Sequence, residues 1–327
     1  MKMMPLERRG LSSSRLALGC MGFGGSWNAE EAYTSEHVLQ AERAIDAALS
    51  VGITFFDHAD IYTRGKAESV FGRVLKQRPG LREQIVLQSK AGIQLAEDDL
   101  PGRYNFSKEH ILPAVDGILE RLGTEYIDIL LLHRPDPLME PDEIAEAFTR
   151  LKLSGKVLNF GVSNMSPGQI RFLQRALPDP IVVNQIEMSL LRHDWIDHGM
   201  HVNQKAGLND SFPEGLMEFM QMENIQIQAW GPLAQGRFSG RVSENASEAE
   251  LKTAELVQEL AKRNETTPES IVLAWLMKHP ALVQPVIGTV NPERIVACKD
   301  AVRQAELMTR DEWYTLLHNA RPANKPK

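Results

Sequence analysis

Eight short apolar runs, each followed by a stretch of helical periodicity, constrain this 327-residue chain more than any other feature. They begin near residues 16, 53, 85, 127, 157, 181, 225 and 283. Runs such as IVLQSK (85–90), IDILLLH (127–133) and IVVNQIE (181–187) are rich in β-branched residues and too short for helices, so they read as buried strands. Between them, Val38, Ala41, Ile45, Ala48 and Leu49, and then Ala67, Val70, Phe71, Val74 and Leu75, recur at spacings that share one helix face. Thr34-Ser35, Ser107, Ser166-Pro167, Thr267-Pro268 and the Thr309/Glu312 box supply helix starts. Strand then helix, eight times over, with neither half of the chain distinct in composition, predicts a single-domain (β/α)8 TIM barrel spanning residues 1–327. The runner-up is a doubly wound open sheet. That fold would want a GxGxxG after its first strand, and the glycines here fall at 19, 22, 24 and 25.

Ahead of the barrel, residues 2–18 read as a short N-terminal β-hairpin turning at Gly10, and at the other end Ala323–Lys327 is polar enough to fray. Composition bounds the partners. A net charge of −7 argues against nucleic acid, which needs a basic face. No segment approaches eighteen uninterrupted apolar residues, and no export signal is visible, so a membrane partner is not expected. The two cysteines, Cys20 and Cys298, are too few for a disulfide framework and fit a reducing cytoplasm.

In a barrel of this kind, side chains just past the strands converge on one mouth. Here they are Asp57 and Tyr62, from VGITFFDHADIY (51–62), with Lys90, His133, Ser163, Asn164, Gln185 and Trp230. A phenol, an ammonium, a carboxylate and an imidazole are the equipment for giving a proton to a carbonyl oxygen. A free tyrosine titrates near about 10, and a lysine cation beside it would lower that value while an aspartate keeps the lysine charged. No serine or cysteine is paired with a base for covalent attack, so the group that attacks the carbonyl must be brought by a bound hydride donor. Gly22 and Phe23, in the glycine-rich turn after the first strand, read as a loop that a ligand approaches.

These residues carry a family resemblance. DHADIY (57–62), QSK (88–90), LLLHRPDP (130–137), GKVLNFGVSN (155–164), VVNQIE (182–187), AWGPLAQGR (229–237) and VIGTVNPERI (286–295) stand in the order and at the strand ends where aldo-keto reductases carry theirs, and the chain resembles that family over nearly its whole length. The resemblance implies a catalytic tetrad of Asp57, Tyr62, Lys90 and His133, with Tyr62 as general acid and a small-molecule carbonyl as substrate. It implies further that Asp57 lies against the cofactor, that Ser163, Asn164 and Gln185 hold a nicotinamide carboxamide, and that Trp230 stacks on its ring. Gly231, Pro232 and Leu233 with Gln235, Gly236 and Arg237 suit a pyrophosphate contacted by backbone N–H and guanidinium.

Departures from the family pattern sharpen the reading. His58 replaces the usual threonine and is expected to be a buried, hydrogen-bonded histidine; Trp230 replaces a smaller aromatic. Gly288 and Thr289 stand where a lysine for the adenosine 2′-phosphate is common, leaving Arg294 and the helix start at Asn291 for that role. NADP is therefore expected over NAD, although Glu293 would suit a ribose hydroxyl. Two other function classes stay open at this point. The His193, Asp194, His198 and His201 cluster resembles a metal set and would suit a metal-dependent barrel hydrolase, although the strand ends themselves offer no metal ligand set. The third class is a non-catalytic nucleotide-sensing subunit.

Overall fold

Each of the eight apolar runs closes onto the next through main-chain hydrogen bonds. The structure, a computed structural model, describes residues 2–97, 99–241 and 243–321, so the frayed tail expected at Ala323–Lys327 lies outside the described residues. Ten strands follow in order: β1 (Ala17–Gly19), β2 (Phe55–Asp57), β3 (Val86–Ala91), β4 (Ile93–Gln94), β5 (Arg103–Tyr104), β6 (Ile127–Leu132), β7 (Val157–Ser163), β8 (Ile181–Glu187), β9 (Gln226–Trp230) and β10 (Gln284–Ile287). Eight of them form a closed barrel in the order β1-β10-β9-β8-β7-β6-β3-β2, every pair parallel. The remaining pair, β4 and β5, is an antiparallel ribbon in the loop after β3.

Alternation along the strands sorts the core into two layers. Phe56, Leu87, Leu130, Leu132, Val162 and Ile227 face outward and are sealed by the helices, whose buried stripes, such as Val70, Phe71 and Val74 of Lys66–Gln77, are the predicted ones. Inside, Ala17, Phe55, Ile129, Leu131, Val183 and Val286 fill the lower barrel. Above them the interior turns polar at Gln88, Gln185, Gln228 and Gln284, all buried. At Gly72 the helix Lys66–Gln77 meets the backbone of Arg121 and Leu122 so closely that any Cβ would overlap it, and this close approach sets the spacing of that helix against Lys108–Leu122.

The expected N-terminal hairpin is not formed. Residues Pro5–Arg8 make one helical turn instead, with Pro5 at its first position and the Met4 N–H donating to the Glu7 carboxylate (3.2 Å). Leu6 is the cause: it is fully buried and joins the inner layer, plugging the bottom of the barrel. Leu6→Ala should lower stability by about 2–5 kcal/mol, the range for a truncated core leucine. Urea unfolding would measure it; a loss below about 1 kcal/mol would mean that Leu6 closes nothing.

Candidate active site

The site is built at the carboxyl ends of the barrel strands. β2 ends in Asp57 and β3 carries Lys90, both fully enclosed. The Lys90 ammonium donates to Asp57 Oδ1 (2.8 Å) and Oδ2 (2.7 Å), to the His58 carbonyl (2.9 Å) and to the Tyr62 phenol oxygen (3.0 Å). Tyr62 comes from the loop after β2, which Asp60 ties down by donating its N–H to the Lys90 carbonyl (3.0 Å). His133 follows β6, its ring edge-on to Tyr62 with centroids 5.9 Å apart. The four predicted tetrad residues are thus brought together.

Asp57 is held from below as well. Gln88 Nε2 and Gln185 Nε2 donate to its Oδ1 at 2.6 and 3.2 Å. Both amides also donate to Gln228 Oε1 (2.8 and 3.0 Å), Gln228 donates to Gln284 (3.0 Å), and Gln284 donates to the Ser14 carbonyl (2.6 Å). A chain of buried amides therefore runs down through the barrel from the carboxylate. Gln88, Gln228 and Gln284 were not singled out from the sequence, where they sit inside apolar runs; a glutamine within each of three separate strands was the available signal.

Electrostatics differ from the simplest expectation. Burial works against the Lys90 ammonium, yet Asp57 and Tyr62 outweigh it and hold its pKa above the ordinary value. For Tyr62, burial pushes the phenol up, Lys90 pulls it down and Asp57 pushes it up again, and the net is a raised pKa instead of the lowered one expected. The phenol stays protonated and hydrogen-bonded. Burial, then Lys90 and Arg134, hold the His133 imidazole well below its usual range, so it is neutral. Its Nδ1 is buried without a partner. Burial, then Lys90, also pulls His58 down, to about 3. His58 is buried as expected but not hydrogen-bonded: neither ring nitrogen has a partner, and the ring packs edge-on against Phe71 (4.6 Å).

The residues expected to hold a nicotinamide also meet. Asn164, in a left-handed conformation (φ 59°), donates from Nδ2 to Ser163 Oγ (2.8 Å) and accepts from Trp230 Nε1 (3.2 Å). Ser163 donates to the Gln185 carbonyl (2.9 Å). Arg134, another residue missed from the sequence, lies over the Trp230 ring (5.9 Å). Gly231 and Gly288 are exposed and open, with nothing near where a Cβ would stand. Pro232 is buried and Leu233 packs against the core, so these two shape the loop by their side chains. Gln235, exposed, takes a left-handed turn (φ 57°).

Gly236 is the cradle in this loop. A Cβ on it would lie 3.0 Å from Arg294 Nη2 and 3.4 Å from the Arg241 side chain, so two guanidinium-bearing residues from different segments flank one glycine. Arg241 had no sequence motif to mark it. Three expected contacts change. Phe23 is buried and stacked on Phe71 (6.2 Å), its ring in the core; Gly22 abuts Val290 (a Cβ would be 2.9 Å away), joining the first and last loops. Arg237 is paired with Glu250 (2.7 Å). The N–H groups of Glu293 and Arg294 are capped by Asn291 Oδ1 (2.9 and 3.3 Å), and Thr289 Oγ1 accepts from the Asn291 N–H (3.2 Å), which leaves the Arg294 guanidinium as the group available for a phosphate. Glu293 points to solvent.

The histidine cluster does not assemble as a metal site. His193 is bonded to Asp197 and His201 to Asp210 (2.8 Å each), and Arg321 also holds Asp197. Among the described residues, the ligand atoms that gather within 4.8 Å are those of Asp194, Asp197 and Asp210, with no imidazole among them. His198 Nδ1 is buried and unpaired. No described helix is long and apolar enough to cross a membrane.

Comparison with known proteins agrees with this fold. Residues 15–315 match the Aldo/keto reductase family. The chain is 37% identical over 296 residues to YcsN of Bacillus subtilis, an uncharacterized oxidoreductase, covering 89% of this chain and 91% of that protein. It is 35% identical over 311 residues to the 6-dehydroglucose reductase of Agrobacterium fabrum, covering 94% of each. Among solved structures, an aldo-keto reductase of Bacillus halodurans in its holo form matches with a TM-score of 0.71 and 25% identity over 94% of this chain and 93% of its own. The match spans every barrel strand, and the chain belongs to the aldo/keto reductase family.

Proposed function

We propose that this protein is an NADPH-dependent reductase that converts an aldehyde or ketone to the alcohol, the whole chain acting as one catalytic domain. The observation that carries this reading is the Lys90 ammonium bonded at once to Asp57 and to the Tyr62 phenol, beside a neutral His133. Two relatives named as 6-dehydroglucose reductases, 35% and 31% identical, make a sugar-like aldehyde the first substrate to try. The buried free thiols Cys20 and Cys298 suit a reducing cytoplasm.

The nicotinamide, when bound, supplies a hydride to the carbonyl carbon, which with one proton gives the alcohol and oxidised cofactor. The chain supplies the rest. Tyr62 donates its phenolic proton to the carbonyl oxygen as negative charge grows there, and the Lys90 ammonium steadies the phenolate left behind. Asp57 keeps Lys90 charged inside the barrel. A neutral imidazole carries one N–H, so His133 can hydrogen-bond the carbonyl without adding a competing charge. Asn164 retains one unused N–H on Nδ2 for a carboxamide, and Trp230 offers a flat face. Arg294 and Arg241, flanking Gly236, fit a phosphate that a bidentate guanidinium would recognise.

Tyr62→Phe removes the proton donor, and with it one acceptor of the Lys90 ammonium, while keeping the ring, so turnover should fall by about 10²–10⁴-fold while NADPH affinity stays within about threefold. Steady-state kinetics and Trp fluorescence titration give both numbers; undiminished turnover would remove Tyr62 from the role. Activity should survive EDTA unchanged, whereas a metal hydrolase would lose it.

Arg294→Ala should weaken NADPH binding by about ten- to a hundredfold, equivalent to one charge-assisted contact of about 1.5–3 kcal/mol, with NADH much less affected. Equal losses for the two cofactors would overturn the preference for NADP.

A further inference from the structure

Behind the tetrad, on the outer side of the barrel wall, lies a buried charge that the proposed chemistry does not use. Successive residues of a strand face opposite ways, so while Lys90 points into the mouth, its neighbour Ser89 points out toward the helices. The Ser89 hydroxyl donates to Glu68 Oε1 (2.6 Å), and Arg121 Nε donates to Glu68 Oε2 (2.8 Å). Glu68 is wholly buried, its side chain 0% exposed against 30% for Arg121. Space for the arginine is cut by glycines: a Cβ at Gly65 would lie 2.8 Å from Arg121 Cδ, and one at Gly117 would lie 2.9 Å from Arg121 Nη1. Asp60 completes the group. Its Oδ1 is buried without a partner, its N–H holds the Lys90 carbonyl, and the charges of Glu68, Arg121 and Lys90 all act on it. Burial first, then Glu68, pushes its carboxyl up to about 7.

One carboxylate thus joins three elements: the helix Lys66–Gln77 on which it stands, β3 with Lys90, and the helix Lys108–Leu122. Stability alone is a poor account of it, because a buried ion pair replaced by apolar side chains of like volume is often no less stable. We propose that Glu68, clamped by Ser89 and Arg121, is a positioning residue for the proton transfer, fixing Lys90 through its strand neighbour so that the ammonium stays on the phenol. This rests on the reductase reading above. The route to the phenol runs through Lys90: Glu68 accepts from Ser89, the next residue of the strand, and Lys90 donates to the Tyr62 oxygen.

The test uses Glu68→Gln, which keeps the volume and removes the charge, and Ser89→Ala, which keeps the charge and removes one clamp. In both, kcat should fall about tenfold or more while NADPH affinity stays within about twofold, since positioning errors near the reacting atoms act on the chemical step. The phenolate absorbance titration, with Tyr62→Phe subtracted as the blank, should show the Tyr62 midpoint moved upward as Lys90 loses its grip on the oxygen. A kcat within about twofold of wild type and an unmoved midpoint in both variants would overturn the proposal. A wild-type protein that binds NADPH but reduces no carbonyl would sink the reductase reading, and the midpoint would still decide whether Glu68 positions Lys90.

Discussion

The ion pair between Lys90 and Asp57 is the constraint on which the rest of the site depends. Both groups lie out of water, where an unpaired ammonium or carboxylate is heavily penalised, so each is tolerable only because the other is 2.7–2.8 Å away. Losing one partner of such a pair typically costs about 3–5 kcal/mol, because the survivor is left charged and unpaired. The pair therefore dictates what may surround it. Gln88 and Gln185 give Asp57 further donors, and Gln228 and Gln284 carry the satisfied amides down to Ser14. A polar layer inside a barrel is costly unless its members are bonded; here the strands' register places one amide on each of four strands, and of these Gln88 leaves its Oε1 buried without a partner.

From this pair follow the properties of its neighbours. Lys90 sends its third direction to the Tyr62 oxygen, and its charge helps keep His133 neutral. The phenol remains a phenol in the absence of a ligand because burial exceeds the pull of the lysine. For the proton-donor role proposed for Tyr62 that is the useful state: the acid would be loaded, with the cation that would stabilise its phenolate already in place. Asp57 is anchored twice, by its strand and by the amides beneath, and through it Lys90 and then Tyr62 are held, with the His133 ring set edge-on against Tyr62.

Much of this was legible in the chain. The βα period and the helix stripes depend on local spacing, and a strand that ends in Asp57 or a loop that holds Tyr62 announces its position by where the apolar run stops. The N-terminal segment differs from its local pattern for a physical reason: Gly10 and flanking apolar residues do suit a hairpin, but Leu6 packs with the inner layer of the barrel, a contact that no local pattern carries. The histidine-rich loop was ambiguous for a related reason. Nearness in sequence brought four candidate ligands together, and the fold then gave His193 and His201 each its own aspartate.

What the sequence determined by itself was the architecture and the residue types at the mouth, because both follow from periodicity and from the order of strand ends. What only the tertiary structure decided was every relation between residues far apart in the chain. Arg241 and Arg294 meet at Gly236, and Gln88 meets Gln228 across the barrel. Arg237 is drawn off by Glu250, and the raised pKa of Tyr62 reflects how deeply it is enclosed. Burial and pairing are properties of packed neighbours, and no local pattern carries them, since the same glutamine or arginine would be solvated in one register and locked into a network in the next.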